Sequence, residues 1–331
     1  MMKRILAATV LSFALAAGFA HAAAPTAENP PKALSVTPAR EWDDPTRFMM
    51  LDATLAGSRI VAVGEHGIVL LSDDNGKTFR QARHVAASST LTSVYFVDAQ
   101  HGWAVGQWGV ILSTSDGGET WTLQRSDTSI DQPLFSVYFK DTQRGWATGL
   151  WGLLLSTQDG GKTWVKQPLP PRPGGARTDL NLYKIFADHV GTLFITAEKG
   201  IVLRSRDDGT TWEYLQTGNE GSLWSGAAGQ GNVIVVGGLL GHMYRSADGG
   251  DTWQKVQSGA TGSITDLVSS GDHIFGVGLD GFLIQGALDA TGFSASQRPD
   301  HAALTAVVVP KDGVPLLFSK NGALTAGRAR P

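Results

Sequence analysis

The sequence predicts an all-β fold, a seven-bladed β-propeller built from four-stranded antiparallel blades. An eight-residue motif, Ser/Thr-x-Asp-x-Gly-x-Thr-Trp/Phe, occurs five times, and its aspartates lie 42, 43, 48 and 41 residues apart. That period is typical of propeller blades. A glycine seven residues before each aspartate continues after the motif stops, which extends the count to seven units. The aspartates are Asp74, Asp116, Asp159, Asp207 and Asp248, and the glycines are Gly67, Gly109, Gly152, Gly200, Gly241, Gly281 and Gly322.

Each unit reads as four strands, as the second one illustrates. Leu91–Asp98, Trp103–Gly106, Val110–Ser115 and Thr120–Arg125 are short runs rich in apolar and β-branched residues. Turns rich in Gly, Asp and Asn separate them, which is the pattern of successive hairpins. No window after the N-terminus has a helical period.

The two ends of the repeat region predict how the ring closes. The last unit has strands near Leu304–Val309, Pro315–Ser319 and Ala323–Gly327 and lacks a fourth. The first unit is complete, and the short run Ala33–Thr37 precedes it. We expect this run to supply the missing outer strand of the last blade, since closure removes the exposed sheet edges.

The first 22 residues have the pattern of a secretory signal peptide. Lys3 and Arg4 precede the apolar stretch Ile5–Phe19, and Ala20–Ala22 fits the small-residue cleavage rule. A retained membrane anchor is the alternative. We predict a signal peptide over residues 1–22, a flexible leader over 23–32 and the propeller over 33–331, in a monomeric periplasmic protein.

Composition excludes several function classes. The chain has no cysteine, so it has no disulfides, no thiolate metal site and no lipid-modified cysteine. The formal net charge of −3 does not indicate a nucleic-acid partner, for which a basic face is expected. The histidines lack metal-binding spacing and no phosphate-binding loop is present. We predict no metal and no cofactor.

The repeated motif is interpreted as structural. Its aspartate can accept hydrogen bonds from main-chain N–H groups of its own turn, and its glycine tolerates a positive φ. The aromatic residue starts the outer strand and is expected to pack between blades; in four copies it is Trp121, Trp164, Trp212 and Trp253. Calcium binding is the alternative, but in the most acidic copy Lys77 stands where an EF-hand loop needs an oxygen ligand.

The motif resembles the Asp-box, or BNR repeat, of sialidases and of many propellers without enzyme activity. A narrower likeness lies in two units. Ser93–Gly106 followed by Gly109–Trp121, and Ser136–Gly149 followed by Gly152–Trp164, are similar to the photosystem II stability/assembly factor family of cyanobacteria and chloroplasts. This resemblance implies a seven-bladed propeller that acts as an assembly chaperone without catalysis.

The resemblance covers the mature chain, with two departures from the photosynthetic members. The chain lacks their lipid-attachment cysteine, and its repeats lack a strong arginine cluster. In bacteria without photosynthesis, the implied role is a periplasmic scaffold for a membrane complex, a photosystem or a transporter. The partner is then a membrane-protein complex.

A glycan-active or glycan-binding propeller, such as a sialidase-like glycosidase, is the alternative function. A sialidase resemblance would require an arginine motif near the first strand, where this chain has Thr46–Met50. The five tyrosines do not suggest a nucleophile. We therefore predict no enzyme and no catalytic residue.

Propellers bind partners through the face that carries the turns between second and third strands. Trp108 and Trp151 occupy the same position in adjacent units and are candidate partner-binding anchors; packing against a neighbouring blade is the alternative. His66 holds the equivalent place in the first unit, where a solvated turn histidine is the alternative. The link Lys166–Leu180 carries Arg172 and Arg177, and is either a binding loop or a plain insertion.

Overall fold

The computed structural model describes residues 35–324, which form seven sheets whose strands are antiparallel except for one short added edge strand. The predicted seven-bladed propeller is confirmed. Five blades have four strands, the second blade has a fifth strand on its outer edge, and the seventh blade has three strands within the described residues.

The strands follow one another along the chain, blade by blade. Blade 1 holds β1 (Met50–Ala56), β2 (Arg59–Gly64), β3 (Val69–Ser72) and β4 (Arg80–Gln81). Blade 2 holds β5 (His84–Val85), β6 (Leu91–Phe96), β7 (Gly102–Gly106), β8 (Ile111–Thr114) and β9 (Thr120–Arg125). Blade 3 holds β10 (Leu134–Phe139), β11 (Gly145–Gly149), β12 (Leu154–Thr157) and β13 (Val165–Lys166). Blade 4 holds β14 (Leu182–Ala187), β15 (Leu193–Ala197), β16 (Ile201–Ser205) and β17 (Glu213–Gln216).

The remaining three blades complete the ring. Blade 5 holds β18 (Leu223–Ala228), β19 (Ile234–Gly238), β20 (Met243–Ser246) and β21 (Gln254–Val256). Blade 6 holds β22 (Ile264–Ser270), β23 (His273–Gly278), β24 (Phe282–Ala287) and β25 (Phe293–Gln297), and blade 7 holds β26 (Leu304–Val308), β27 (Leu316–Ser319) and β28 (Gly322–Leu324). The helical segments of the described residues are single 3₁₀ turns, and none of them has the length and apolar character to cross a membrane.

The hydrophobic core lies between blades. Seven clusters of buried apolar side chains occupy the seven junctions, one for each neighbouring pair. The cluster between the last and first blades includes Phe318 and Ile60. Across the same junction the hydroxyl of Thr305 donates to the carbonyl of Met50 at 2.5 Å. Packing of the first blade against the last therefore closes the ring.

The predicted closing strand is wrong where it can be checked. Ala33 and Leu34 lie outside the described residues, but Ser35–Thr37 is not a strand. The carbonyl of Thr37 accepts a hydrogen bond from Ser88 N (2.6 Å), and Val36 packs against the cluster between blades 1 and 2. The segment thus lies beside the link that enters blade 2. The short strand β5 in that link pairs in parallel with β9 and occupies the outer edge.

The five Asp-boxes have the same geometry, in the turn between third and fourth strands. In each, one carboxylate oxygen accepts the main-chain N–H of the Thr four residues later at 2.9 Å. The other oxygen accepts that residue's hydroxyl at 2.6–2.7 Å. The Ser or Thr at the start donates to the carboxylate and accepts from the glycine N–H. Each turn is therefore closed by its own side chains.

The aromatic residue of each Asp-box packs against the preceding blade. Trp121 is fully buried between blades 1 and 2 and donates its indole N–H to Gly118 O at 2.9 Å. Trp164 meets Phe139 edge to face between blades 2 and 3. Trp212 lies between blades 3 and 4, and Trp253 packs between blades 4 and 5. The motif thus links turn geometry to blade packing.

Trp121→Ala should lower the free energy of unfolding by roughly 3–5 kcal/mol, because it removes a large, fully buried aromatic side chain. Urea denaturation followed by circular dichroism measures this change. The control is Leu123→Ala on the same strand, whose exposed side chain should matter by less than about 0.5 kcal/mol. Equal effects of the two variants would contradict the role assigned to the tryptophan.

The Asp-box carboxylates should make the fold acid-sensitive only at low pH. Hydrogen bonds from Thr163 lower the pKa of Asp159 to about 2. A depressed pKa in the folded state stabilises the fold above the unfolded pKa of about 3.9, and that contribution is lost as pH falls toward 2. Asp159→Asn should therefore flatten the decline in stability between pH 4 and pH 2, measured by thermal unfolding. The matched substitution Asp272→Asn, in an exposed turn, should leave the wild-type decline in place.

Candidate functional site

The turns between second and third strands all bend through left-handed backbone. The seven turn glycines have φ between 55° and 97°. In six turns the residue before the glycine is also left-handed, with φ between 54° and 66°: His66, Trp108, Trp151, Lys199, Leu240 and Asp280. Left-handed backbone is uncommon for residues with a side chain. The turn accepts five different side chains at this point, so its backbone does not require a tryptophan.

These turns share one face with the links between blades. Leu150 N donates to Pro133 O at 3.1 Å, and Leu239 N donates to Ser222 O at 3.1 Å. We call this face, formed by the second-to-third-strand turns and the links, the turn face. The Asp-boxes lie on the opposite face, with the turns between first and second strands.

The two candidate tryptophans differ in their surroundings. Trp108 is partly buried and packs against the cluster between blades 1 and 2. The side chain of Trp151 is 53% exposed, although its main-chain N–H is held by Asn181 Oδ1 at 3.1 Å. Trp151 is thus a fixed, exposed aromatic residue on the turn face, whereas Trp108 is mainly a packing residue.

His66 is exposed and flanked by aromatic rings. Its ring centroid lies 5.4 Å from that of Trp42 and 5.5 Å from that of Phe48. Both aromatic residues belong to the segment that leads into blade 1. His66 therefore belongs to a local aromatic group and is not brought together with Trp108 or Trp151 by any contact within residues 35–324.

The link Lys166–Leu180 lies over the outer strand of blade 4. Tyr214 on that strand donates its hydroxyl to Pro170 O at 3.1 Å, and the Arg172 guanidinium lies 5.8 Å from the Tyr214 ring centre. Arg172 also donates to Arg177 O at 3.0 Å. Arg177 forms an ion pair with Asp179, and its hydrogen bond to that carboxyl is the main cause of the lowered pKa of Asp179. The two arginines lie together, at the rim of the face.

The sequence reasoning missed a ring of polar residues around the central channel. It occupies the third position of each innermost strand, directly after a register shift that recurs in all seven blades. We call its members the polar belt: Asp52, Ser93, Ser136, Lys184, Ser225 and Asp266, with Ala306 in the seventh blade. A polar residue recurring at one strand position is the signal that could have revealed it.

Most belt residues bind the main chain of the next blade. Asp52 accepts from Val94 N at 3.0 Å and from the Ser93 hydroxyl at 2.7 Å. Asp266 accepts from Val307 N at 3.2 Å. Serines at two other junctions accept the equivalent N–H groups. The belt therefore satisfies the inward edges of the innermost strands.

Lys184 is the cation of the belt. Its Nζ lies 3.5 Å from Asp266 Oδ1. Burial alone would lower the pKa of Lys184, but the carboxylates of Asp52 and Asp266 raise it above its usual value. Burial raises the pKa of Asp52, an effect that Lys184 opposes. The amine thus remains protonated between the two acids.

A cavity of about 340 Å³ lies in the channel, lined by the innermost strands of the first six blades. Its lining runs from the belt to the far ends of these strands, so it lies toward the Asp-box face. Tyr95 and Tyr138, with ring centroids 5.0 Å apart, form part of its wall. Burial raises the pKa of Tyr95, so its hydroxyl stays neutral.

The channel chemistry does not provide a ready pair of catalytic carboxylates. Asp52 and Asp266 are buried and hold main-chain N–H groups and Lys184. In residues 35–324 no group of three or more His, Asp or Glu side chains is arranged to hold a metal ion. The distinctive chemistry of the turn face is instead exposed apolar surface, including Trp151, Leu240 and Leu279.

Five Asp-boxes in a ring of seven blades define the class of protein, an Asp-box seven-bladed propeller. Residues 82–223 match the family model of the photosynthesis system II assembly factor YCF48. That segment contains both repeats that carried the predicted resemblance, which is therefore confirmed: the chain is similar to the photosystem II assembly factors. Among curated proteins no sequence matches this chain.

Solved structures share the fold at low identity. YCF48 bound to D1 peptide is 16% identical, with a TM-score of 0.67, over 87% of this chain and 98% of that one. YCF48 from Cyanidioschyzon merolae is 16% identical, with a TM-score of 0.66, over 84% and 95%. A streptogramin B lyase is 12% identical, with a TM-score of 0.69, over 86% and 94%. The same ring thus occurs in assembly factors and in an enzyme.

Lys184→Met should destabilise the fold by roughly 3–5 kcal/mol, because it leaves two buried carboxylates without their cation. Burial already raises the pKa of Asp52, and loss of the amine raises it further. A raised folded-state pKa favours folding at low pH, so the variant should be more stable at pH 5 than at pH 8. Urea denaturation at both pH values measures this. The control Lys140→Met breaks a surface ion pair with Asp208 and should cost under about 1 kcal/mol.

Proposed function

We propose that this propeller is a non-catalytic scaffold that binds a protein partner and helps to assemble or stabilise a membrane complex, such as a photosystem or a transporter. The match of residues 82–223 to the assembly-factor model supports this proposal. So does the solved structure of YCF48 with a D1 peptide, a propeller of the same fold that binds a polypeptide.

Trp151 is the observation that carries the proposal. Its side chain is exposed and its backbone is left-handed, and the same turn position in other blades holds a half-buried tryptophan, Trp108, or His, Lys, Leu, Asp or Asn. An exposed tryptophan in a conformation that disfavours side chains is not required for folding. Large aromatic residues are frequent binding anchors. Trp151 is therefore assigned to partner contact.

We place the site of action in the periplasm. This rests on the signal-peptide pattern of residues 1–22, with Lys3 and Arg4 before an apolar stretch and small residues at the cleavage site. Those residues lie outside the described structure. A scaffold exported in this way would meet membrane complexes from the periplasmic side.

The glycan-active alternative draws on the two carboxylates of the central channel. Glycoside hydrolysis needs one carboxyl group to transfer a proton and a second to act as nucleophile or base. Asp52 accepts three hydrogen bonds and Asp266 is paired with Lys184. Both acids are thus engaged in holding the ring together, which favours the scaffold.

The test is capture of a partner from detergent-solubilised cell-envelope membranes by the affinity-tagged full chain. Wild type should recover a membrane-protein complex, identified by mass spectrometry. Trp151→Ala should weaken capture by about tenfold or more, since anchor residues contribute about 2 kcal/mol. Val190→Ala, at a strongly exposed valine on the Asp-box face, is the control and should capture as wild type does.

Two results would contradict the proposal. One is full capture by a stably folded Trp151→Ala variant together with loss of capture by Val190→Ala. The other is turnover of sialosides or other glycosides by the purified protein that disappears in Asp52→Asn. The second result would establish the glycan-active alternative.

A further inference from the structure

The second residue of each innermost strand lies at the end of the channel nearest the turn face. In three consecutive blades this residue is aromatic: Phe135, Tyr183 and Trp224. Each follows by two residues a link residue that bonds to a turn, namely Pro133, Asn181 and Ser222. All three rings are partly exposed. We call these three residues the aromatic arc.

The equivalent residues in three other blades have a structural role that the arc residues do not. The hydroxyls of Thr92, Thr265 and Thr305 donate to carbonyls of the next blade at 2.7, 2.9 and 2.5 Å. Phe135 has no donor, and the indole N–H of Trp224 bonds to no atom within residues 35–324. Three of the seven positions at the channel mouth thus carry rings instead of these blade-to-blade bonds, and the remaining one, in blade 1, is Leu51.

The arc is bordered by exposed apolar turn residues of the same blades. Trp151 belongs to blade 3, and Leu240, which is 71% exposed, belongs to blade 5. Between them, the turn of blade 4 carries Lys199, which is exposed and makes no ion pair within the described residues, although its charge helps to lower the pKa of the Asp179 carboxyl. Its neighbour Glu198 is occupied by Asn181, which donates to it at 3.0 and 3.2 Å. The sector combines apolar surface with one exposed cation.

The spacing of the rings suits an extended chain. The ring centroids of Phe135 and Tyr183 lie 5.8 Å apart, nearly parallel. In an extended peptide, residues i and i+2 project on the same side and lie roughly 6.6 Å apart. Alternate side chains of an extended segment can therefore contact successive rings.

We infer that the aromatic arc, with Trp151, Leu240 and Lys199, binds an extended peptide segment of the partner protein that carries alternating apolar side chains and an acidic residue. The rings and Leu240 take the apolar side chains, and the exposed ammonium of Lys199 takes the carboxylate. This inference rests on the proposed function and specifies the part of the partner that is recognised.

The experiment selects peptides from a random 12-residue phage-display library on the immobilised full chain. Enriched peptides should alternate apolar residues and contain Asp or Glu. Fluorescence polarisation of a labelled enriched peptide should show at least tenfold weaker binding to Trp224→Ala and to Leu240→Glu. Lys199→Glu should weaken the binding of acidic peptides and strengthen the binding of the same peptide with Lys in place of its acidic residue. Val314→Ala, at an exposed residue of blade 7 on the Asp-box face, is the matched control.

Leu240 keeps the test independent of folding, because its side chain is exposed and its replacement removes no core packing. Absence of enriched peptides, or enriched peptides that bind Leu240→Glu as well as wild type, would overturn the inference. Two other results would also overturn it: binding of the protein to phosphatidylcholine vesicles, or its self-association in analytical ultracentrifugation, where Leu240→Glu abolishes that binding or association. The arc would then contact a membrane or a second copy of the chain. If the protein still captures a membrane complex in that case, the proposed scaffold function stands and only the inference that it binds an extended peptide is rejected.

Discussion

Everything in this ring depends on joining neighbouring blades at their innermost strands. A blade alone buries neither of its faces, and its first strand presents an unpaired edge toward the channel. The polar belt and the threonines beside it bond one blade to the next at six of the seven junctions within the described residues. At the other junction, between blades 4 and 5, a side chain at Gly226 would meet the Phe186 ring at 2.5 Å, so close packing takes the place of the bond.

The two faces of the ring are therefore stabilised in different ways. Asp-boxes close the turns of one face with local hydrogen bonds, and their aromatic residues fill the blade junctions. On the other face, the left-handed turn is maintained by glycine and accepts many residue types beside it. Side chains there are under weak structural constraint, so Trp151 and Leu240 can be exposed without loss of packing. A closed, rigid ring thus supports a surface that can vary.

The repeat period and the turn glycines were sufficient to predict seven blades, because both signals are local and recur at fixed spacing. The closing strand was wrong because Ser35–Thr37 has no preference that distinguishes the edge of blade 7 from the link before blade 2. Trp108 and Trp151 have the same local sequence but different burial, since burial depends on how the neighbouring link packs. The polar belt escaped notice because Asp, Ser, Lys and Ala share a position without sharing a residue type.

Residues that hold the ring together differ from residues that are free to vary on its surface. Solved structures at 16% identity can therefore share the fold of this chain without identifying its partner. Ring closure needs a polar or small residue at the belt, apolar residues at the junctions and glycine in the turns, and many sequences meet these needs. The aromatic arc is under none of these requirements: in other blades a threonine at this position bonds the next blade, whereas Phe135 and Tyr183 stack on each other between blades 3 and 4. Three successive blades thus carry a partly exposed ring in place of this bond at the channel mouth. The proposed contact of these rings with a partner would place the specificity of this propeller in blades 3 to 5.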